Sequence, residues 1–566
     1  MSMLAVVLGL ALLAAPVAAA QTPPAEFGSD WHDPVTAAPP IATPDTRSCT
    51  VTVAEAQFKD FTPYTGTYTP PAACGTRWSK VVLHLDGSVA GRQYDRLGYL
   101  HIGGVEVLRT STPEPSPDGI SWSVEKDVTR YASTLRAEQP VEMLIGNVVD
   151  DTYTGILDVK VTLTFYTAEG RTKAAAAPDR VIPLTGTALT TPRNSERIVA
   201  EVYATGSGGG CEEFWYLAVP PDVPYSCQAG ADGPNREVRV TVDGQLAGIA
   251  APFPHVWTGG WSNPFLWYVI PGPRAFDVQP VEYDLTPFAG LLNDGKEHQV
   301  EVSVAGVPEG QSGWSAPTNI LIWQDAHRTH VTGALTVHRE SDPVATTSYD
   351  PDGSDTALRT LDADGSHSLT LSGYVDTSHG RVTTTVRRTL TAASTSYDPG
   401  TDLRTLDAKG SHQLTVSGYV NTSHGRVTTT VHRAVSAAST HTWNADETTD
   451  ALTGRWTDDE TRTVDGATTR TRRAYTMDGE ITIGSDNRLR TVISLGDHTR
   501  TDAGALRTRL DDTYTGDATW TLGVPRDQRH AVGTSVERYR RTGDSGCYDR
   551  TLATAQGALT QDQQRC

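Results

Sequence analysis

The sequence predicts an almost all-β protein, and two observations carry that prediction. Helical periodicity is scarce, while alternating strand-like stretches recur along the chain. These stretches are rich in Val, Thr and Tyr, end at Gly, Asp or Pro, and include "KVVLHLDG", "LDVKVTLTFY", "NREVRVTVDG", "HQVEVSVAG" and "RVTTTV". Strands at this spacing, with long loops between them, are typical of β-sandwiches and jelly rolls.

A chain of 566 residues is too long for one hydrophobic core, so we expect three or four domains. The apolar first stretch ends in small residues, which predicts a signal peptide over 1–20 and cleavage before Gln21. The protein is therefore expected to be secreted and to have no membrane contact after signal removal. We expect an N-terminal jelly-roll-like domain at 21–170, a linker at 171–194, a second jelly-roll-like domain at 195–330 and a C-terminal accessory β-region at 331–566.

Charge and cysteine usage agree with an exported protein. The formal net charge of -20 and the isoelectric point near 5.2 argue against nucleic acid or an anionic membrane as the partner. The six cysteines have no Cys-x-x-Cys spacing, so neither a zinc site nor a thiol redox centre is expected. They fall into local pairs that predict three short disulfide loops: Cys49–Cys74, Cys211–Cys227 and Cys547–Cys566.

A weak internal duplication relates the two predicted jelly-roll domains. Asp127 and Asp284 open matching Asp-(Val/Leu)-Thr-x-aromatic turns, and their separation, 284 - 127 = 157 residues, is a reasonable length for a sandwich. Asp side chains readily accept hydrogen bonds from backbone amides two or three residues further on, so both are predicted to be turn or capping groups.

A second duplication lies in the C-terminal third. "LRTLDADGSHSLTLSGYVDTSHGRVTTTV" from Leu358 returns as "LRTLDAKGSHQLTVSGYVNTSHGRVTTTV" from Leu403, an offset of 403 - 358 = 45 residues. Repeats that are this long and this alternating predict small β-units stacked on one another.

Candidate chemistry lies where carboxylates stand beside aromatic residues. The chain has no Gly-x-Ser-x-Gly, His-Glu-x-x-His or glycine-rich phosphate motif, which disfavours serine hydrolases, zinc peptidases and nucleotide enzymes. Aromatic faces next to carboxylates suit a sugar-binding cleft, and such a cleft is expected between two domains. The candidates are Asp95 beside Tyr94, Glu212 and Glu213 beside Trp215, and Trp257 and Trp261 in "HVWTGGWSNPFLWY".

These candidate site residues also have purely structural interpretations. Asp95 lies between Arg92 and Arg96 and could be a surface ion pair at a turn, and the tryptophans could fill a sandwich core. If "LGYLHI" is a strand, Asp95 lies on the loop just before it, and His101 is a packed or surface histidine rather than a base. A non-catalytic glycan-binding or adhesive β-protein would also account for the Thr-rich repeats and the aromatic clusters.

From about Trp31 to about Ala326 the chain resembles the acidic peptide N-glycanase family, the PNGase A-type glycoamidases. The resemblance rests on "GSVAGRQYDR", "VEVLRTSTPEP", "WSVEKDVTRY", "CEEFWY", "PFPHVWTGG" and "YDLTPFAGLLNDGKEHQV". It implies hydrolysis of the amide bond between an Asn side chain and the innermost N-acetylglucosamine of N-glycosylated peptides or glycoproteins. It implies no cofactor and no metal.

A fainter similarity to PNGase F-type enzymes concerns the site. Those enzymes carry an aromatic-Asp-Arg motif and a Cys-x-Glu-aromatic motif, which implies that Asp95 is the principal catalytic carboxylate and Glu213 its partner. Where those enzymes have a further Glu, this chain offers Asn147 or Asp150 as a possible third polar group. The residues expected to bind substrate are Tyr94, Arg92, Arg96, Glu212, Trp215, Trp257 and Trp261.

The implied reaction needs an activated water, a stabilised oxyanion and a protonated leaving nitrogen. Asp95 would activate the water, and Glu213 would hold the sugar or the amide or pass the proton. Because a neighbouring cation favours an ionised carboxylate, Arg92 and Arg96 are expected to lower the pKa of Asp95, so that the site works in mild acid.

Overall fold

The computed structural model describes residues 22–206, 237–252, 255, 263–305, 314–349, 361–398, 403–422, 425–444, 446, 448–544 and 546–566. The predicted signal peptide lies outside these residues. Antiparallel strands dominate the described chain, so the predicted all-β fold is confirmed. No helix in the described ranges is long and apolar enough to cross a membrane.

The first sandwich consists of two four-stranded sheets with the orders β1-β8-β3-β6 and β2-β7-β4-β5. Inward-facing residues of both sheets belong to one buried apolar cluster, as the alternation of their sequences predicts. The strands are β1 (Ser48–Phe58), β2 (Tyr64–Tyr68), β3 (Trp78–Val89), β4 (Leu97–Ile102), β5 (Val105–Ser111), β6 (Ile120–Asp127), β7 (Gln139–Ile145) and β8 (Leu157–Thr167).

The second sandwich repeats this plan with the sheet orders β10-β15-β12-β13 and β14-β11-β16-β9 around a second buried cluster. Its strands β9 and β10 come from the segment 171–194. The elements are β9 (Arg180–Pro183), β10 (Ala188–Leu189), β11 (Ser195–Val202), β12 (Glu237–Val242), β13 (Gln245–Ala250), β14 (Val281–Asp284), the one-turn helix α1 (Ala289–Leu292), β15 (His298–Ala305) and β16 (Thr318–Gln324).

The turn chemistry predicted for the two sandwiches is confirmed. Asp127 Oδ1 accepts from the backbone N–H of Thr129, and Asp284 Oδ1 accepts from that of Thr286, each at 3.0 Å. Both aspartates end a strand and lead into a short 3-10 helix. The duplicated motif therefore forms the same kind of turn in both sandwiches.

The C-terminal third is a single antiparallel sheet of 13 described strands, ordered β17-β19 and then consecutively to β29, with β18 paired to β19. Long, Thr-rich alternating stretches joined by tight turns favour such a meander. The strands are β17 (Thr332–Glu340), β18 (Val344–Tyr349), β19 (Leu361–Thr377), β20 (Gly380–Asp398), β21 (Leu403–Thr422), β22 (Gly425–Asn444), β23 (Thr449–Val464), β24 (Ala467–Ile483), β25 (Arg488–Ala503), β26 (Leu506–Thr521), β27 (Val532–Gly543), β28 (Gly546–Ala555) and β29 (Ala558–Gln564).

The two copies of the 45-residue repeat are consecutive hairpins of this sheet, β19–β20 and β21–β22, and they have different neighbours. In the first copy a Cβ on Gly373 would lie 2.1 Å from the Pro287 carbonyl oxygen, so only glycine allows this close approach. The matching Gly418 of the second copy has no such contact with the second sandwich. The first copy therefore docks on that sandwich.

The long sheet shares its cores with both sandwiches. Leu369, Leu371 and Val375 of β19 belong to the buried cluster of the second sandwich, and Tyr514 of β26 belongs to that of the first. The N-terminal segment also runs over this sheet, since the Phe27 amide donates to the Ala531 carbonyl at 2.7 Å. The N-terminal segment thus packs against the C-terminal sheet.

Two of the predicted disulfides, Cys49–Cys74 and Cys547–Cys566, are present and confirmed. The first ties β1 to the turn that precedes β3, and the second ties β28 to the last residue of the chain. Cys211–Cys227 lies outside the described residues.

A buried polar network joins the two sandwiches. Arg109 of β5 donates to Thr205 Oγ1 at 3.0 Å and to Ser315 Oγ at 2.8 Å, and its other nitrogens bind the buried Glu106 carboxylate. Asn319 of β16 pairs with both backbone groups of Glu106. The network thus connects β5 of the first sandwich to β16 and its neighbours in the second.

Candidate active site

Asp95 lies on the loop 91–96 between β3 and β4, just before the strand that the sequence predicts. The neighbouring segment 112–116 holds this loop at both ends. The Gly91 amide donates to the Ser116 carbonyl at 3.1 Å, while Thr112 and Arg96 exchange two hydrogen bonds of 2.9 Å. The backbone around Asp95 is therefore fixed by hydrogen bonds rather than by a charged pair.

Gln93 anchors the loop on its other side. Its side chain is buried and donates to the carbonyl oxygens of Val148, at 2.9 Å, and Gly155, at 3.2 Å. Its amide oxygen accepts from the Tyr94 backbone and from the Arg96 guanidinium. The sequence analysis did not identify Gln93, because a single glutamine in a loop does not indicate a functional site.

The two candidates for a third polar group lie in the segment that Gln93 binds. Asn147 is fully buried; it donates to the carbonyls of Phe58 and Gly155 and accepts from the Val148 amide. Asp150 is exposed and accepts from the amides of Thr152 and Tyr153, each at 2.7 Å, which lowers its pKa. Both side chains are thus engaged with backbone groups of the loops that support Asp95.

The ring of Tyr153 lies against the side chains of Arg92, Arg96 and Tyr94. The sequence analysis did not identify Tyr153. The guanidinium carbons of Arg92 and Arg96 lie 5.6 and 5.9 Å from its ring centroid. Its ring also contacts that of Tyr94, with centroids 5.2 Å apart. The two arginines therefore face an aromatic ring, not the Asp95 carboxylate.

In the described part of the chain Asp95 forms no ion pair, so the surface-ion-pair interpretation does not fit it. Burial raises the pKa of Asp95 to about 7, and the opposing effects of its own backbone amide and of the Arg96 charge are smaller. The charge of Arg96 lowers this pKa, as expected, but removal from water outweighs it, so the net shift is upward and does not agree with an Asp95 that is ionised in mild acid.

Glu114 is a second carboxyl at the site and was missed by the sequence search. Burial, followed by the nearby charge of Asp95, raises the pKa of Glu114 to about 8. The charges of Arg526 and Arg92 act in the opposite direction and are weaker. Glu114 lies in "VEVLRTSTPEP", a segment that indicates the family. Its position between two prolines was the one sequence feature that set this glutamate apart.

An apolar rim, as we call it, consists of exposed hydrophobic side chains on the Asp95 loop, at the start of β4 and on the segments bonded to them. Six large hydrophobic side chains that are at least one third exposed come from three segments joined by backbone hydrogen bonds, such as Gly146 N–H to Leu97 O at 3.1 Å. The most exposed are Phe61, at 66%, and Tyr94, at 48%. Exposed apolar surface concentrated in one place marks a binding surface. The apolar rim consists of Phe61, Tyr94, Leu97, Val148, Val149 and Ile156.

The expected second half of the cleft lies outside the described residues. This applies to Glu212, Glu213, Trp215, Trp257 and Trp261. Of the same aromatic stretch, Phe265, Trp267 and Tyr268 are described and buried, and Trp267 stacks on Tyr514 of the C-terminal sheet with ring centroids 5.0 Å apart. These three aromatic residues fill a core, as the structural interpretation has it.

One group in the described ranges has side chains close enough to share a metal ion: Glu196, Asp325 and His379. It stands at the ends of β11 and β16 that lie opposite Thr205 and Ser315, the partners of Arg109. It therefore lies at the end of the second sandwich that faces away from Arg109.

His101 lies between two glutamates. Its ring nitrogens lie 3.3 Å from Glu106 and 3.6 Å from Glu142, on β4 and its neighbours. This agrees with the interpretation of His101 as a packed histidine.

Two neighbouring carboxyls with raised pKa values, beside an exposed aromatic side chain, are suited to acid and base catalysis. Residues 37–341, more than half of the chain, match the family model described as "Peptide N-acetyl-beta-D-glucosaminyl asparaginase amidase A". The chain belongs to this family, and the resemblance found in the sequence is confirmed.

Individual proteins agree with this assignment. The peptide-N4-(N-acetyl-beta-glucosaminyl)asparagine amidase A of Prunus dulcis is 31% identical over 384 residues, which cover 61% of this chain and 66% of the relative. The match thus spans just under two thirds of the relative's length. A solved structure of PNGF-II is 15% identical, covers 50% of this chain and 66% of its own, and superposes with a TM-score of 0.35, which is too low to bear on the site.

Proposed function

We propose that this protein is a secreted glycoamidase that hydrolyses the amide bond between an Asn side chain and the innermost N-acetylglucosamine of an N-linked glycan. The products are an aspartate in the peptide and a glycosylamine. Family membership supports the reaction class, and one observation supports the site: Asp95 has a raised pKa, forms no ion pair with the described residues, and lies on the loop that carries the exposed Tyr94.

Asp95 suits the role of general base. A base is most effective when its pKa lies near the working pH, and burial brings the pKa of Asp95 to about 7. In this role Asp95 removes a proton from the water that attacks the amide carbon. Of the roles expected for Glu213 from the family resemblance, we assign it the one of holding the sugar or the amide.

The apolar rim suits the substrate. Sugar rings present C–H faces that pack on aromatic side chains; Tyr94, next to Asp95 in the chain, and Phe61, which lies against Gly146, are both exposed. Arg92 and Arg96 bring hydrogen-bond donors to the same place. The substrate therefore meets an aromatic surface and a base within one loop cluster.

Secretion is part of the proposal. Two disulfides in the described chain support it, since disulfides persist in oxidising compartments. The chemistry uses carboxyl groups and water, so we expect activity to survive a metal chelator.

Mass spectrometry of a glycopeptide incubated with the protein tests the function. A glycoamidase converts the glycosylated Asn to Asp, and in heavy-oxygen water the new carboxyl carries the label. A glycosidase would leave Asn with one sugar attached, and a non-catalytic glycan-binding protein would leave the glycopeptide unchanged.

The variant Asp95→Asn tests the base. Loss of a general base is expected to slow glycan release by at least about 100-fold. Asp118→Asn is the matched control, because Asp118 is an exposed carboxylate near the same loop. Near-normal release by Asp95→Asn would exclude Asp95 as the base.

A further inference from the structure

Three distant parts of the chain meet beside the Asp95 loop. Trp31, from the N-terminal segment, stacks on Tyr268, from the second sandwich, with ring centroids 4.0 Å apart and planes 6° from parallel. The guanidinium of Arg526, from the turn after β26, lies 5.0 Å from the centre of the Trp31 ring and also interacts with the Tyr268 hydroxyl. The C-terminal sheet thereby places a cation at this position.

Glu114 is held against the Asp95 loop by the hydrogen bonds at either side of it. Thr112 is bonded to Arg96, and Ser116 is bonded to Gly91, so the middle of the segment 112–116 lies opposite the middle of the loop 91–96. Pro113 and Pro115 flank Glu114 and are buried, which restricts its backbone. The carboxyl is therefore placed beside Asp95 by a rigid segment.

Charge links these two clusters. The carboxyl of Glu114 interacts electrostatically with Asp95, Arg92 and Arg526, and its charge also acts on the Tyr268 hydroxyl. Arg526 is thus the cation that the C-terminal sheet brings to a carboxyl of the first sandwich.

We propose that Glu114 and Arg526 complete the active site, with Glu114 as the proton donor to the leaving nitrogen and Arg526 as a positioning residue whose charge acts on Glu114. The inference rests on the proposed glycoamidase function and gives the C-terminal sheet a part in it. The site is then complete only when both sandwiches, the N-terminal segment and the C-terminal sheet are assembled.

The two carboxyls divide the roles of base and acid. Burial raises the pKa of both carboxyls, and the charge of ionised Asp95 raises that of Glu114 further, so ionisation of Asp95 favours a proton on Glu114. Arg526 and Arg92 favour the Glu114 carboxylate, while burial and the Asp95 charge favour its protonated form more strongly. The balance leaves a proton on Glu114 near neutral pH.

The reaction balances with water as the one co-reactant. Ionised Asp95 takes a proton from the attacking water as the water oxygen bonds to the amide carbon. When the bond from that carbon to nitrogen breaks, the nitrogen takes the proton of Glu114 and leaves as the amine of the glycosylamine. Transfer of the proton from Asp95 to Glu114 restores both groups.

The variant Glu114→Gln tests the proton donor. We expect at least about 100-fold slower glycan release and loss of the alkaline limb of the pH–rate profile, with folding retained. Asp118→Asn, an exposed acid four residues further on, should leave both unchanged. Release within a few-fold of the wild-type rate with the alkaline limb intact would overturn the role of Glu114.

Arg526→Gln tests the positioning residue through a readout that packing alone does not move. Removal of the cation raises the pKa of Glu114 further, so the alkaline limb should move to higher pH, and Arg526→Lys should restore it. Arg507→Gln is the matched control, because Arg507 is an exposed arginine at the opposite end of β26. An unmoved limb in Arg526→Gln would overturn the role of Arg526.

A measurement without substrate separates this inference from the function on which it rests. A carboxyl whose pKa is raised on folding stabilises the protein below its unfolded pKa, and that stabilisation is lost as the pH rises through the folded value. Relative to wild type, Glu114→Gln should therefore gain thermal stability as the pH rises from about 4.5, the ordinary pKa of a Glu, to about 8, the pKa of Glu114 in the folded protein. A pH-independent difference would overturn the inference even if the wild-type protein released no glycan. Wild-type inactivity together with the expected pH-dependent difference would instead reject the proposed function and leave Glu114 and Arg526 as a coupled pair.

Discussion

Gln93 and Asn147 donate hydrogen bonds to the same carbonyl oxygen, that of Gly155, at 3.2 and 3.0 Å. Both side chains are buried, and each also bonds to a second backbone carbonyl. Two amides that share one acceptor tie the Asp95 loop to the segment that ends β7 and the segment that begins β8. The position of Asp95 thus depends on side chains that carry no charge.

Replacing Gln93 by Ala is expected to lower kcat about 10- to 100-fold, because a misplaced base loses its orientation toward the attacking water. The melting temperature should fall as well, since the buried amide makes several hydrogen bonds. Gln57→Ala is the control, because the exposed Gln57 bonds to Asp158 on the surface of the same sandwich. Equal kinetics for the two variants would contradict the role of Gln93.

The pH dependence of the reaction should follow Asp95. Its raised pKa, about 7, means that the base is protonated and inactive in acid, so kcat/KM should rise with pH up to about that value. The measurement is a pH–rate profile on a glycopeptide whose own groups do not titrate in this range. Full activity about two units below that pKa would show that Asp95 is ionised in mild acid after all.

Replacing Phe61 by Ser should raise KM several-fold and leave kcat nearly unchanged, because Phe61 belongs to the apolar rim and not to the reacting groups. Leu506→Ser is matched to it, since Leu506 is also highly exposed, at 60%, and lies on the C-terminal sheet. Initial rates over a range of glycopeptide concentrations distinguish the two. An equal KM in both variants would remove Phe61 from the binding surface.

Arg109→Met should destabilise the protein by about 3 kcal/mol, because it leaves the buried Glu106 without its main cation. It also removes the bonds to Thr205 and Ser315 that join the sandwiches. Arg472→Met, whose exposed side chain lies 3.7 Å from Asp459, should change stability by less than about 0.5 kcal/mol. Urea unfolding followed by tryptophan fluorescence gives both values.

A fragment that ends after Ala326 is expected to be insoluble or rapidly proteolysed. It lacks Leu369, Leu371 and Val375, which are almost fully buried in the core of the second sandwich. Each buried side chain of this size contributes about 1.5–3 kcal/mol, so their loss exposes an apolar face that the fragment cannot cover. Limited proteolysis of the fragment beside the full chain tests this. A stable, fully active fragment would show that the sheet is dispensable.

Patterns that depend on neighbours in the chain were predictable. The alternation of "LGYLHI" predicts a strand with Leu100 and Ile102 on one face, and both are buried in β4. The turn roles of Asp127 and Asp284 follow from local hydrogen-bonding chemistry and are confirmed. Asp95 and its loop were predicted as well, since a motif and a strand boundary are features of a short segment.

Features that depend on removal from water were not predictable. Arg92 and Arg96 flank Asp95 within three residues in sequence, but in the fold both lie over the Tyr153 ring, and neither forms an ion pair with the carboxyl. Glu114 was unremarked because nothing in its own segment shows that a second carboxyl lies beside it. Distance along the chain gives no measure of desolvation, which depends on everything packed around a group.

The sequence by itself determined the all-β class, the turns, two confirmed disulfides and the family. Each of these depends on a local sequence pattern or on a series of matching segments. The tertiary structure alone decided that Asp95 is a weak acid, that Glu114 is its neighbour, and that Trp31, Tyr268 and Arg526 meet beside them. The reason is physical: electrostatic and packing energies depend on distance through space and on exclusion of water, and the folded chain sets both.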